Sequence, residues 1–333
     1  MLAALQRRTT ISLLLAAAIW AWVFAQTSHP YWALGGALLI VFNYALVLGC
    51  EFLISAFLNR TEPVPRASFA QQLRAWLREV QTAPRVFCWR QPFHEHAVPD
   101  QPQGRSGQRG IVFIHGFVCN RALWTPWMKR LRALGQPYVA VSLEPVFGSI
   151  DDYVPQIEAA VRRIEAGTGA PPVLVCHSMG GLAARAWLGA NAAAGGGDAR
   201  VTRVITIGTP HHGTWLARWG RTTNTKQMRR LDRGNAWLQA LAASEPASRY
   251  ARFSCFYGHC DNIVFPASTA LLPGAEAHHL SGVSHVHMAF HEEIFREALR
   301  WLGREESSGA DADAAARKGA AAEEGHPYRT LAD

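Results

Sequence analysis

Pro172-Val-Leu-Val-Cys176-His177-Ser178-Met179-Gly180-Gly181-Leu-Ala-Ala-Arg-Ala-Trp-Leu188 passes from an apolar, strand-like run into a helix-like one. A serine at such a corner is held on a sharp turn, with its hydroxyl clear of the sheet. Small neighbours let strand and helix approach without a Cβ clash. The first N–H groups of the helix have no intrahelical partners and can meet a developing negative charge. This is the setting a nucleophilic serine needs. Cys176 stands where the pattern Gly-x-Ser-x-Gly has its first glycine, and is small enough to pack there.

Working outward, Gly110-Ile-Val-Phe-Ile114 reads as a buried strand that ends in His115-Gly116-Phe117. Downstream, Val201-Thr-Arg-Val-Ile-Thr-Ile207 is another strand, followed by Gly208-Thr209-Pro210-His211-His212-Gly213-Thr214. Phe253-Ser-Cys-Phe-Tyr-Gly258 precedes His259-Cys260-Asp261, and Ser284-His285-Val286-His287-Met288 precedes a terminal helix over 289–301. Residues 86–90 are expected as an early strand, 138–143 as a core strand, and 120–134 and 151–166 as helices. Alternating strands and helices imply an α/β architecture, a mostly parallel sheet covered on both faces.

The set His115-Gly116-Phe117, Cys176-His177-Ser178-Met179-Gly180-Gly181, Gly208-Thr209-Pro210-His211-His212-Gly213-Thr214, Asp261 and His285 resembles the bacterial lipase/esterase branch of the α/β-hydrolase superfamily. The resemblance covers roughly residues 85–302. Serine, then an acid after a strand, then a late histidine is the triad order of that fold. The resemblance and the chemistry together imply Ser178 as nucleophile, His285 as general base and Asp261 as the group that orients it. They imply an oxyanion hole from the backbone N–H groups of Phe117 and Met179. His287 is the rival base, two positions along. Asp232 is the rival acid, but lies in the charged stretch Met228-Arg-Arg-Leu-Asp-Arg233 and reads as a solvated helix partner. His211 and His212 are adjacent and lack a carboxylate at ligand spacing, so they read as loop-shaping rather than metal-binding. Neither a cofactor nor a metal is implied.

Two apolar runs open the chain, at about 10–26 and 31–57, separated by Gln26-Thr-Ser-His-Pro30. A span needs about twenty residues, so a transmembrane hairpin over 1–60 is expected. A cleaved signal peptide is the rival for the first run. Arg7 and Arg8 precede the first run, Arg60, Arg66, Arg74 and Arg78 follow the second, and the loop between carries no Lys or Arg. The positive-inside bias then puts both ends, and the catalytic domain, on the cytoplasmic side of a multi-pass membrane protein. Glu51 lies near the end of the second run, where it can reach the interface or a partner. Residues 61–84 read as a linker, with Ser68 capping an amphipathic helix to about residue 80. Residues 85–302 form the catalytic domain, and 303–333, rich in Ala, Gly, Glu and Asp, are expected as a disordered tail.

The chain has 33 basic and 25 acidic residues among 333, a net charge of +8, which favours an anionic membrane surface. The basic residues are scattered rather than gathered in a module, which argues against nucleic acid as a partner. Six cysteines show neither C-x-x-C nor disulfide-framework spacing. Residues 215–245 carry tryptophans and leucines among arginines; they read either as a cap over an acyl pocket or as amphipathic helices packed on the core. The expected activity is hydrolysis of an ester or lipid through an acyl-enzyme. An acyltransferase with the same triad, and a non-catalytic membrane scaffold, are the alternatives.

Overall fold

The computed structural model describes residues 1–27, 30–192 and 196–303. The tail expected over 303–333 therefore lies, apart from Gly303, outside the described residues. Two long helices come first, α1 (Leu2–Ala25) and α2 (Pro30–Leu58). Both are long and apolar enough to cross a membrane. They pack against each other, and Trp20 Nε1 donates to the Trp32 carbonyl at 2.8 Å.

The third helix, α3 (Phe69–Pro84), begins at Ser68 with a capping box. The Ser68 hydroxyl accepts from the Gln71 N–H while the Gln71 side chain accepts from the Ser68 N–H. The expected strand at 86–90 is not formed. The chain stays helical through a π-helical turn (Arg85–Arg90) into a last short turn, α4 (Gln91–Phe93). A short apolar run such as Val86-Phe-Cys does not distinguish strand from buried helix by pattern alone. Here Val86 is fully buried against the domain core in helical form. Pro84 has no N–H, so the carbonyl one turn back at Val80 loses its helical donor. The Tyr44 hydroxyl of α2 donates to that carbonyl instead, at 2.9 Å. The helix defect is thus a fastening point between α2 and α3.

The remaining elements alternate. They are β1 (Ile111–Ile114), α5 (Thr125–Ala133), β2 (Tyr138–Ala140), α6 (Val154–Thr168), β3 (Val173–His177), α7 (Met179–Ala192), β4 (Arg203–Ile207), α8 (Thr223–Gln227), α9 (Ala236–Ser244), β5 (Phe253–Tyr257), β6 (Glu276–His279), α10 (His285–Met288) and α11 (Glu292–Trp301). Among the described residues six strands form one parallel sheet, in the order β2-β1-β3-β4-β5-β6. The polar edge strand β6, Glu-Ala-His-His, was not expected, because nothing in its composition favours a strand. Pairing with β5 imposes it.

Side chains alternate across the sheet and sort into two cores. Val112, Ile114, Leu174, Cys176 and Val204 face α6, α7 and α9. Ile111, Phe113, Val173, Val175, Ile205 and Ile207 face α5 and α11, around Trp124 and Trp127. The 215–245 region is a chain of short elements. Met228, Leu238 and Leu241 join the first core, while Trp219 is exposed. Arg185 of α7 and Glu245 at the end of α9 form a fully buried ion pair at 2.5 Å, and the Tyr250 hydroxyl donates to the same carboxylate.

Candidate active site

In a parallel sheet the carboxyl ends of the strands open onto the ligand-binding crevice. Ser178 stands there, between β3 and α7, at φ +54°. A non-glycine residue in the left-handed region stores of order 1–3 kcal/mol of strain and survives only where its surroundings over-determine it. Here the constraints are visible. The Ser178 N–H donates to the Ile207 carbonyl at 2.8 Å, and β3 is hydrogen-bonded on both sides, by β1 and β4. Met179 is the first residue of α7, so its N–H has no acceptor within the helix. Gly116 follows β1 directly behind the serine; a Cβ on it would lie 2.7 Å from Ser178 Cβ.

The Phe117 loop is held on both sides. His115 Nδ1–H donates to the Gly116 carbonyl at 2.8 Å, and its Nε2 accepts from the Leu143 N–H at 2.9 Å. Those two bonds use the imidazole in its neutral form, and burial pushes its pKa down to about 4. Next to Phe117, Val118 also sits at φ +54°, and its carbonyl accepts from Gln6 Nε2 of α1 at 3.1 Å. The half-buried Phe117 ring meets Phe147 edge-on at 6.0 Å.

Asp261 follows β5 and His285 opens α10, and the two come together: Asp261 Oδ2 to His285 Nδ1 is 2.9 Å. The other carboxylate oxygen, Oδ1, accepts from the N–H groups of Ile263 and Val264, each at 2.8 Å. Both side chains are almost completely buried. Gly208, after β4, lines this pair at φ +54°; a Cβ there would lie 2.9 Å from Asp261 Oδ2 and 3.1 Å from His285 Nδ1. Burial alone would lower the His285 pKa. The Asp261 carboxylate, by charge and hydrogen bond, then Glu79 and Glu51, raise it above its ordinary value. His177, beside Ser178, backs onto the same histidine, its Nε2 3.1 Å from the His285 carbonyl and the rings 4.7 Å apart.

The rivals lie elsewhere. His287 is turned toward Arg78 and His291, and burial pushes its pKa down to about 4. Asp232 pairs with Arg230 at 2.5 Å on a surface turn. His211 is buried against Thr206 and Cys255, a loop-shaping position. Glu276, His278 and Glu297 come within metal-ligand reach of one another, but Arg203 and Arg300 already pair with the two carboxylates.

Sequence reading missed the contribution of the N-terminal helices to this site. Ser55 Oγ donates to the Asp261 carbonyl at 2.6 Å, and Asn59 bridges the His259 carbonyl and the Ala267 N–H. Glu51 accepts from Asn262 Nδ2 at 2.8 Å, and Asn262 Oδ1 accepts from the His285 N–H at 3.3 Å. From α3, the buried Glu79 accepts from the Ser284 hydroxyl and from the N–H groups of Val286 and His287. An isolated glutamate on an amphipathic helix carries no signal for this in sequence.

A protein family described as the alpha/beta hydrolase family matches residues 111–298. The fold is also similar to that of the mature lipase BlEst2 of Bacillus licheniformis, at 19% identity and a TM-score of 0.50 over 59% of this chain and 92% of that one. It is similar to lipase B of Aspergillus fumigatus at 16% identity and a TM-score of 0.51, over 62% of this chain and 56% of that one. No curated protein matches the sequence.

Proposed function

Because the chain belongs to the alpha/beta hydrolase family, we propose that it is a membrane-anchored serine hydrolase that cleaves carboxylic esters, lipase-like, through an acyl-enzyme. The observation that carries the reading is the buried Asp261–His285 hydrogen bond at the strand ends, reached by the same loops that flank the strained Ser178 corner. In this reading Ser178 Oγ attacks the acyl carbonyl carbon and His285 Nε2 takes its proton. Asp261 keeps the other ring nitrogen protonated and stabilises the imidazolium. The N–H groups of Met179 and Phe117 hold the oxyanion. Collapse expels the alcohol, which His285 protonates, and leaves the acyl group on Ser178. Water activated by the same base then releases the acid.

The membrane part of the proposal rests on the hairpin. The N-terminal end of α1 reaches the hydrolase through Met1, whose ammonium lies 2.7 Å from Glu144, and through Gln6. The C-terminal end of α2 reaches it through Ser55 and Asn59. Both helix ends, with Arg7, Arg8, Arg60 and Arg66, therefore share one side with the catalytic domain, the cytoplasmic side by the positive-inside bias. An apolar groove of about 340 Å³ lies between α2 and the 215–245 region, lined by Leu53, Ile54, Phe57, Leu58 and Trp215.

The test is fluorophosphonate labelling of the full-length protein in detergent, beside Ser178→Ala, with hydrolysis of p-nitrophenyl esters of graded chain length. Labelling and turnover that both vanish in Ser178→Ala are expected. A well-folded wild type that neither labels nor turns over ester would overturn the proposal.

A further inference from the structure

The catalytic reading leaves the buried Glu79 carboxylate without a role. Glu79 projects from α3, a helix about 200 residues upstream of the base, and is only 1% exposed. Its Oε1 accepts from the Val286 N–H at 2.8 Å; its Oε2 accepts from the Ser284 hydroxyl at 2.8 Å and the His287 N–H at 3.1 Å. Together with Asn262, which takes the His285 N–H, it satisfies three consecutive backbone donors at the start of α10. Ser284, the residue before that helix, makes no cap of its own; its hydroxyl is spent on Glu79.

We propose that Glu79 is a positioning residue for His285: its carboxylate fixes the backbone that carries the base and adds a second negative charge behind the imidazole. The proposal rests on the serine-hydrolase reading above. The fixed backbone determines where Nε2 sits, and misplacement of a catalytic group by about 1 Å can cost on the order of 10²-fold in rate. Three donors on two oxygens require an acceptor at every lone pair used, which matches the ionised carboxylate. On balance the Glu79 pKa is raised, by burial, against the opposing pull of the donors from Val286 and Ser284 and of the nearby His285. The charged and titratable groups facing His285 are Asp261 from the β5 loop, Glu79 from α3, Glu51 from α2 and His177 from β3. Glu51 also faces Glu79. The base is therefore built partly from the anchor end of the chain.

The test compares full-length Glu79→Gln and Ser284→Ala with wild type in the same detergent, reading kcat and KM against pH. Glu79→Gln cannot accept at both ends, because its NH₂ meets a backbone donor. It should lose about ten- to a hundred-fold in kcat with KM within about twofold. Its acid limb should move to lower pH, since a negative charge near His285 is gone. Ser284→Ala removes one donor and keeps the charge, so kcat should fall less and the limb should stay. Added to Glu79→Gln, it should cost little more. If Glu79→Gln does not fold, Ser284→Ala decides: a lower kcat at constant KM supports the proposal and an unchanged kcat overturns it. A folded Glu79→Gln with wild-type kcat and limb also overturns it. A well-folded wild type that neither labels with fluorophosphonate nor turns over ester would instead fail the hydrolase reading, a result distinguishable from failure at Glu79.

Discussion

On the proposed mechanism, Asp261→Asn separates orientation of the base from folding. The native carboxylate meets three donors, two backbone N–H groups at Oδ1 and the His285 ring at Oδ2. An asparagine has one oxygen and one NH₂, and must choose. With its oxygen toward Ile263 and Val264, all three contacts persist, but the NH₂ donates to His285 Nδ1. That moves the imidazole proton to Nε2, the atom that should accept from Ser178. The flipped amide restores the tautomer but leaves two buried N–H groups facing an NH₂, at about 1–3 kcal/mol each. Even the low end, about 2 kcal/mol, holds the productive tautomer to a few per cent. Loss of the charge that stabilises the imidazolium adds to this, for a total fall in kcat of about 10⁴, or about 5.4 kcal/mol. Stability should change by only about 1 kcal/mol, because every donor keeps an acceptor. The assay is steady-state hydrolysis of a short ester beside a denaturant melt. A folded Asp261→Asn within about tenfold of wild-type kcat/KM would refute the tautomer argument.

Three further outcomes are expected. If His285 is the proposed base, its raised pKa places the acid limb of kcat/KM above pH 6.5, because the base works only when neutral; a limb below 6.5 would show that Asp261 and Glu79 do not act on it. Stability should fall as pH drops from 7 to 5, because His115, His177 and His211 are neutral when buried and gain protons on unfolding. With a folded pKa of about 4, His115 alone costs about 2 kcal/mol of stability by pH 5, while Glu79 and His285, both with raised pKa values, pull the other way; a Tm that rises on acidification would contradict the assignment. Arg185→Met leaves the Glu245 carboxylate buried with only the Tyr250 hydroxyl, and should cost about 3–5 kcal/mol in a denaturant melt, much of it regained in Arg185→Met/Glu245→Gln. Trp215→Ser with Trp219→Ser should depress turnover of long esters more than short ones, since Trp215 lines the apolar groove; equal losses would remove the groove from the substrate path.

The parts of the molecule legible in sequence are those where chemistry and chain order coincide. The apolar runs at β1, β3, β4 and β5 announce buried parallel strands, and Ser178 sits where one of them turns into a helix. Ser68 marks a helix start, and the structure adds Gln71 as its reciprocal partner. Where pattern and tertiary context diverge, reading fails. Val86-Phe-Cys has strand composition but continues a helix, because its buried face fits the core in that form. Glu276-Ala-His-His has no strand character and becomes one by pairing. Glu79, Ser55 and Asn59 look like ordinary helix residues, and their meaning lies in partners 200 residues away. The 215–245 region mixes the two, since its leucines obey the core while its turns follow local contacts of Asn235 and Gly234.

The alternation that sorts β3 into two cores also locks the address of the serine that follows it. Val173 and Val175 face one core, Leu174 and Cys176 the other, and Ser178 follows at the end of that count. Slipping the whole of β3 by one residue in register would exchange the faces of its core side chains and rotate the serine to the far face in the same stroke. A slip of this strand would therefore show first as loss of folding, so the stability of the fold and the position of the hydroxyl depend on the same register.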